Sequence, residues 1–124
     1  MVRPMLVDTP RTIDSILSWM VENKRQGLVL TPNSLSSDTW NLYGIDMPFR
    51  TYQIVSIIIC SYGRKESLIE AFKSLSKQTC RNFEVLLITE KGNLSELRQK
   101  GLTSSIGDIV SFIDDDVYCE PTWL

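Results

Sequence analysis

The sequence contains no histidine, and this absence narrows the chemistry open to the protein. Histidine-dependent catalytic triads are excluded, so catalysis would have to rest on carboxylates, lysine, arginine or a metal ion. Cysteine is scarce as well: Cys60, Cys80 and Cys119 are widely spaced, odd in number and form no CxxC pair. We therefore expect neither a disulfide framework nor a structural zinc site, and reduced thiols in a cytoplasmic protein are the favoured interpretation.

Long apolar runs and an excess of either charge are also missing. The longest apolar run, IVSIIIC at 54–60, is too short to cross a bilayer, and the N-terminus lacks the apolar core of a signal peptide. The formal net charge of -2 offers no basic surplus for nucleic acid. We expect no nucleic-acid partner and no transmembrane segment in this chain. The expected location is the cytoplasm, or the cytoplasmic face of a membrane through parts that this sequence does not include.

The first fifty residues predict a helix followed by a linker. Thr9 can cap this helix, Pro10 suits its first turn and Gly27 can end it. Residues 28–30 predict a short strand, and 31–51 are rich in turn-forming residues and predict a loop. One helical face is apolar and predicts an ordinary packing helix: Ile13, Ile16, Leu17 and Met20. We divide the chain into 1–50, an N-terminal helix and linker region without a functional signal, and 51–124.

The second part alternates between buried strands and helices. Three apolar runs are typical of strands buried on both faces: 52–60, 83–89 and 108–113. Two segments between them predict helices: 66–78, with Ser67 and Glu70 at capping-box spacing, and 93–101, with Asn93 and Glu96 as its caps and Gly101 at its stop. A further helix is predicted to open at 120–124.

This order, strand–helix–strand–helix–strand, predicts an α/β fold with a Rossmann-like parallel sheet. Short connections imply parallel strands joined by right-handed crossovers. In such sheets ligands bind beyond the carboxyl ends of the strands. The candidate site therefore lies where three turns meet: after residue 60, after residue 88 and after residue 113.

Three aspartates, Asp114, Asp115 and Asp116, follow the third strand directly. If strand geometry continues, Asp114 and Asp116 point to one side, and Asp115 points to the other as an outward-facing spare. Two carboxylates on one side repel, so they ionise together most easily beside a cation. Oxygen ligands suit Mg²⁺ or Mn²⁺, which often bridge carboxylates to substrate phosphates. The sequence thus predicts a metal or phosphate site, and the alternative is a solvated acidic turn that caps a helix at Pro121.

The turn after the first strand reads Ser61, Tyr62, Gly63, Arg64 and contains neither GxGxxG nor a Walker A pattern. Its amides, hydroxyl and aromatic face could hold a nucleotide base or ribose, and a plain strand-to-helix turn explains it equally well. Arg98 could bind phosphate oxygens in a bidentate way, and a surface helix arginine is the alternative.

Taken together, these pieces resemble family 2 glycosyltransferases, the large GT-A-fold group that uses nucleotide-diphosphate sugars. The stretch VSIIICSYGRKESLIEAFKSLSKQTCRNFEVLLITE is similar to the family's opening strand, its [ST]-Tyr-Asn-Arg-like turn, its SLxxQT stretch and its xFEV strand. The stretch LRQKGLTSSIGDIVSFIDDDVYCEPTWL is similar to the family's RNxGxxxAxGDxVxFLDxDxxxxPxWL segment. The resemblance covers about residues 53 to 124.

The resemblance implies a glycosyltransferase, hexosyltransferase-like, that moves a sugar from a nucleotide-diphosphate sugar donor to an unknown acceptor, whether glycan, lipid or protein. It implies that Asp114 and Asp116 form the DxD motif, with Mg²⁺ or Mn²⁺ as the metal. The implied nucleotide-sugar-binding residues are Ser61, Tyr62, Arg64, Glu90, Arg98, Asp114 and Asp115. The implied fold is an incomplete GT-A sheet, with the catalytic base and acceptor pocket expected beyond Leu124.

Several positions depart from the family pattern. Thr89 and Glu90 stand where the family usually has Asp-Asp-Gly-Ser, Gly63 replaces an asparagine and Gln99 replaces another. These changes affect base specificity more than the metal site. A truncated, non-catalytic nucleotide-sugar-binding remnant or interaction module is the alternative, because the base is missing. A haloacid-dehalogenase-type phosphohydrolase, whose DxDxV motif opens its catalytic core, fits less well, because two strand–helix units precede VSFIDDDV.

Overall fold

A computed structural model describes residues 11–33, 39–45 and 53–124, which form three helices and five strands. In chain order these are α1 (Ile13–Glu22), β1 (Gly27–Pro32), β2 (Trp40–Gly44), β3 (Val55–Cys60), α2 (Lys65–Ser76), β4 (Phe83–Ile88), α3 (Leu94–Ser104) and β5 (Ile109–Ile113). The α/β class predicted from the sequence is confirmed.

The strands form one open, mixed sheet in the order β2-β1-β4-β3-β5. β3 pairs in parallel with both β4 and β5, as the alternation of strands and helices predicts. β1 runs antiparallel to β4 and to β2, so the parallel arrangement is confined to the three C-terminal strands. The turns after β3, β4 and β5 therefore lie at one edge of the sheet.

α1 is an amphipathic helix whose predicted apolar face is buried as expected. The predicted cap at Thr9 and Pro10 lies outside the described residues, and the helix begins after Thr12, whose hydroxyl accepts a hydrogen bond from the backbone N–H of Ser15. The predicted end at Gly27 is wrong. The Asn23 amide donates to the Trp19 carbonyl at 2.9 Å and closes the helix earlier, so that Gly27 begins β1 instead.

β2 lies in the segment that the sequence predicts as a loop, so that prediction is wrong for Trp40–Gly44. Trp40 is 1% exposed and packs edge-on against two rings, with centroid separations of 5.2 Å to Phe72 and 6.1 Å to Phe83. Burial of this large aromatic side chain outweighs the turn-rich composition around it. Residues on both sides of position 50, which itself lies outside the described residues, thus share one sheet and one core.

α2 begins one turn before the predicted capping box. Its N-cap is Arg64, which makes no side-chain cap bond, and Ser67 already lies in the first turn, so the predicted Ser67–Glu70 box is wrong. Gly63 has a φ of +70°, a conformation that glycine adopts without strain. This turn between β3 and α2 places the Arg64 guanidinium beside Asp115, beyond the carboxyl end of β5.

The predicted N-cap of α3 at Asn93 is confirmed, and its predicted end at Gly101 is wrong. The Asn93 side chain accepts hydrogen bonds from the backbone N–H groups of Ser95 and Glu96. The helix then continues past Gly101 to Ser104. The glycine serves a close approach of the helix to β3 and not a helix end, since a Cβ there would lie 2.6 Å from Cγ2 of Ile58. Residues 120–124 form a turn and not the predicted helix.

Helices cover both faces of the sheet. One face, with Ile57 and Ile59 of β3, packs against α1 and α2, and the other, with Ile58, lies beneath α3. β5 is less well covered, since Ile109 and Phe112 remain exposed. Within the described ranges, no helix is long and apolar enough to cross a membrane.

Candidate functional site

The turns after β3 and β5 are joined by a buried hydrogen bond. The Ser61 hydroxyl donates to Oδ2 of Asp115 at 2.8 Å, and both residues are buried. The backbone N–H of Ser61 donates to the Ile88 carbonyl at 2.9 Å, which ties the same turn to the end of β4. One residue thus connects the carboxyl ends of all three parallel strands.

Asp115 is buried, whereas Asp114 and Asp116 on either side of it are exposed. β5 ends at Ile113 and the chain enters a turn, in which the Val117 N–H donates to the Asp114 carbonyl at 3.4 Å. Exposed and buried side chains still alternate through the three aspartates, as the predicted period of two requires. The expectation that Asp115 is the outward-facing spare is wrong, because Asp115 is the one that points inward, at 6% exposure.

Arg64 spans two of the aspartates. Its Nη1 lies 3.4 Å from Oδ1 of Asp115 and its Nη2 lies 3.6 Å from Oδ2 of Asp116. The guanidinium offsets the repulsion between the two carboxylates, although half of its surface is exposed and water screens part of the attraction. We call Ser61, Arg64, Asp115 and Asp116 the tip cluster.

The acidic residues suit a cation only in combination with a ligand. Among the residues that the structure describes, no group of three or more carboxylate, thiol or imidazole side chains is placed to hold a metal ion. Mg²⁺ and Mn²⁺ are, however, commonly held by one or two protein carboxylates together with water and substrate phosphates. Asp114 and Asp116 are both exposed, and either carboxylate could contribute to that second kind of site, although Asp116 is paired with Arg64.

A cleft of about 500 Å³ opens beside the tip cluster, between α1 and the turn after β3. Its lining residues are Leu17, Ser18, Met20, Val21, Glu22, Arg25, Ser61, Tyr62, Gly63, Arg64, Lys65, Leu68 and Thr89. The volume lies within the range of small-molecule sites, and the mixture of apolar side chains with a few polar groups is typical of them.

The structure separates the predicted binding residues into two groups. Ser61, Arg64 and Asp115 meet in the tip cluster, and Tyr62 lines the cleft with its side chain exposed. Two others contact side chains elsewhere. Glu90 accepts a hydrogen bond from Nζ of Lys100 at 2.8 Å, and the Arg98 guanidinium lies 5.6 Å from the ring centroid of Phe112.

Sequence reasoning missed the contribution of α1 to the cleft. Leu17 and Met20 belong to the apolar stripe that predicts packing, and nothing in the pattern distinguishes a cleft wall from a core contact. The one sequence feature that points to this surface is Val21, an apolar residue outside the buried stripe. In the structure its side chain is 80% exposed.

Cys60 behaves as a structural residue at the end of β3. Burial raises the pKa of its thiol, and the positive charge of Arg98 opposes this in part. A raised pKa lowers the thiolate fraction at neutral pH, and the thiolate is the reactive form. The structure therefore offers no support for a nucleophilic role of this cysteine.

The arrangement at the strand edge combines buried and exposed carboxylates, one guanidinium and an adjoining mixed cleft. Such a combination can bind an anion through Arg64 and a cation through the exposed aspartates.

No protein-family model, curated protein or solved structure matches this chain.

Proposed function

We propose that this chain is the donor-binding part of a glycosyltransferase that uses a nucleotide-diphosphate sugar. The observation that carries the proposal is the tip cluster, which lies at the carboxyl edge of parallel strands in the order β4-β3-β5. Ligands of open α/β sheets bind at this edge. The resemblance of residues 53–124 to family 2 glycosyltransferases adds a Rossmann-like, GT-A-type donor site with Asp114 and Asp116 at the DxD positions.

Each residue of the cluster has a role in this proposal. Arg64 exchanges its contacts with Asp115 and Asp116 for oxygens of the donor diphosphate, because a guanidinium binds phosphate in a bidentate way. Ser61 holds Asp115 and so fixes the turn that carries the two flanking aspartates. Asp114 and Asp116 would hold Mg²⁺ or Mn²⁺ together with the phosphates, and this cation would supply positive charge to the departing diphosphate.

The proposed reaction is the attack of an acceptor hydroxyl on the anomeric carbon of the sugar. The new glycosidic bond forms as the bond to the diphosphate oxygen breaks, and the hydroxyl proton passes to a base. The described residues assigned here bind and orient the donor, and the acceptor and the base are not assigned to any of them.

The test is calorimetric titration with UDP, GDP and dTDP, each with and without Mn²⁺. We expect Mn²⁺-dependent binding of at least one nucleotide, and a loss of roughly tenfold or more in affinity in Asp116→Ala, because the carboxylate would bind the cation directly. Glu70→Ala is the matched control, since Glu70 is an exposed carboxylate on α2 that pairs with Lys73.

Two outcomes would contradict the proposal in different ways. If no nucleotide binds, with or without Mn²⁺, donor binding itself is rejected. If a nucleotide binds equally well without Mn²⁺ and in Asp116→Ala, donor binding survives but the metal role of the aspartates does not.

A further inference from the structure

We infer that α1 forms the base-binding wall of the nucleotide site, so that the nucleoside of the ligand lies against Val21 while its diphosphate lies at the tip cluster. This inference rests on the proposed function and extends it to the N-terminal helix. The sequence assigned that helix no role beyond packing.

The first observation is the composition of the α1 side of the cleft. Leu17, Met20 and Leu68 line the cleft as buried residues, at 7%, 2% and 3% exposure, whereas Val21 lines it at 80% exposure. Val21 therefore presents most of the apolar surface of these four side chains, and it can contact a ligand without first leaving the core. An apolar wall of this kind suits the flat face of a nucleobase, whose removal from water is favourable.

The second observation is the chemistry opposite that wall. The Tyr62 side chain is 62% exposed and lines the same cleft, together with Ser61 and Thr89. Aromatic rings and hydroxyl groups are the usual partners of a base and a ribose in proteins. A ligand in this cleft would therefore meet apolar and aromatic surface along one part of its length and hydroxyl groups along another.

The third observation is charge. The lining contains three cations, Arg25, Arg64 and Lys65, and one carboxylate, Glu22. Lys65 is partly neutralised by Asp14, whose Oδ1 lies 3.4 Å from its Nζ, and Arg64 by Asp115 and Asp116. An anionic ligand would therefore bind by replacing these aspartates at the Arg64 guanidinium, which can hold phosphate oxygens in a bidentate way. A ligand that is anionic at one end and flat and apolar at the other is a nucleotide, and Arg64 identifies the anionic end because it joins the cleft to the tip cluster.

The fourth observation is that α1 is linked to the residues that follow the carboxyl ends of the parallel strands. The backbone N–H of Thr89, at the end of β4, donates to the Gln26 carbonyl just after α1 at 2.9 Å. The Lys65–Asp14 ion pair links the start of α2 to the first turn of α1. The helix and the tip cluster are thus held in one framework, and a ligand that bridges them requires no rearrangement of the chain.

The experiment compares two probes, the nucleoside diphosphate that binds best and inorganic diphosphate, both in the presence of Mn²⁺. We expect Val21→Asn to weaken the nucleoside diphosphate by roughly fivefold and to leave inorganic diphosphate unchanged, because only the former would contact the apolar wall. Leu102→Asn on α3 is the matched control, since Leu102 is also exposed and lies away from the cleft, and it should change neither affinity. In wild-type protein, the methyl NMR signals of Val21 should shift with the nucleotide and not with inorganic diphosphate.

The outcomes separate this inference from the function on which it rests. If the wild type binds a nucleotide but Val21→Asn binds it equally well and the Val21 signals do not move, the inference is overturned and the proposed function stands. Equal weakening of both probes also overturns it, because the substitution would then act on the diphosphate site or the fold. If the wild type binds no nucleotide, the proposed function fails and the inference fails with it.

Discussion

Replacing Trp40 by alanine is expected to lower the free energy of unfolding by about 3–5 kcal/mol, the range measured for large aromatic side chains in protein cores. Trp40 is 1% exposed and contacts Phe72 of α2 and Phe83 of β4 through edge-on ring packing. Its removal would leave a large cavity and two unpartnered ring edges. Since small domains are stable by only about 5–15 kcal/mol, this single change is expected to remove much of the stability of the fold.

The measurement is urea unfolding followed by far-ultraviolet circular dichroism, with Trp123→Ala as the matched control. Trp123 is 43% exposed, so its loss is expected to change the stability by only about 1 kcal/mol or less. If both variants lose the same stability, the assignment of Trp40 as the residue that secures β2 to the core is incorrect.

The second large effect is expected at Glu84, a carboxylate with 0% exposure on β4. Its Oε2 accepts hydrogen bonds from the Ser56 hydroxyl at 2.7 Å and from the Ile106 backbone N–H at 3.1 Å. The Ser56 hydroxyl in turn accepts from the Gly107 N–H at 2.8 Å. This network holds the connection between α3 and β5 against the start of the parallel strands.

Glu84→Ala is expected to reduce the free energy of unfolding by roughly 2–4 kcal/mol, because one buried donor, the Ser56 hydroxyl, and one partly buried donor, the Ile106 N–H, would lose their acceptor. Glu84→Gln is the matched control, and it should lose less, since a single amide oxygen can still accept both bonds. Thermal unfolding of the three proteins provides the comparison. Equal losses in the alanine and glutamine variants would indicate that the negative charge, and not the shared acceptor, is what stabilises the connection.

The parallel part of the fold could be predicted from the sequence because its signals are local and strong. Continuous β-branched runs identify β3 and β5, and the Asn93 cap identifies the start of α3. β2 could not be predicted, because the signal for it is a contact between Trp40 and rings that lie far along the chain. The end of α3 was predicted wrongly at Gly101 for a related reason. A glycine near the end of a helical pattern predicts a C-terminus, whereas the close approach of Gly101 to Ile58 is a tertiary contact that the sequence does not show.

The candidate site was predictable in its location but not in its detail. The rule that ligands bind at the carboxyl ends of parallel strands identified Ser61 and the aspartates. It could not show that Asp115 is the inward-facing aspartate that accepts from Ser61, because that depends on how the end of β5 packs against the turn after β3. The family resemblance also implies a role for Arg98, which lies over Phe112, and that role stays a prediction. The role of α1 in lining the cleft carried almost no sequence signal.

The contacts of Arg64 have a consequence for how the binding of one ligand affects the affinity for the other. One guanidinium lies against both Asp115 and Asp116, so part of their negative charge is already offset before any ligand arrives. In the proposed site, an anion that draws Arg64 away exposes the carboxylates to a cation, and a cation that occupies the carboxylates releases Arg64 for the anion. Nucleotide and metal would therefore bind as a cooperative pair, each raising the affinity of the other by the same factor, as thermodynamic linkage requires.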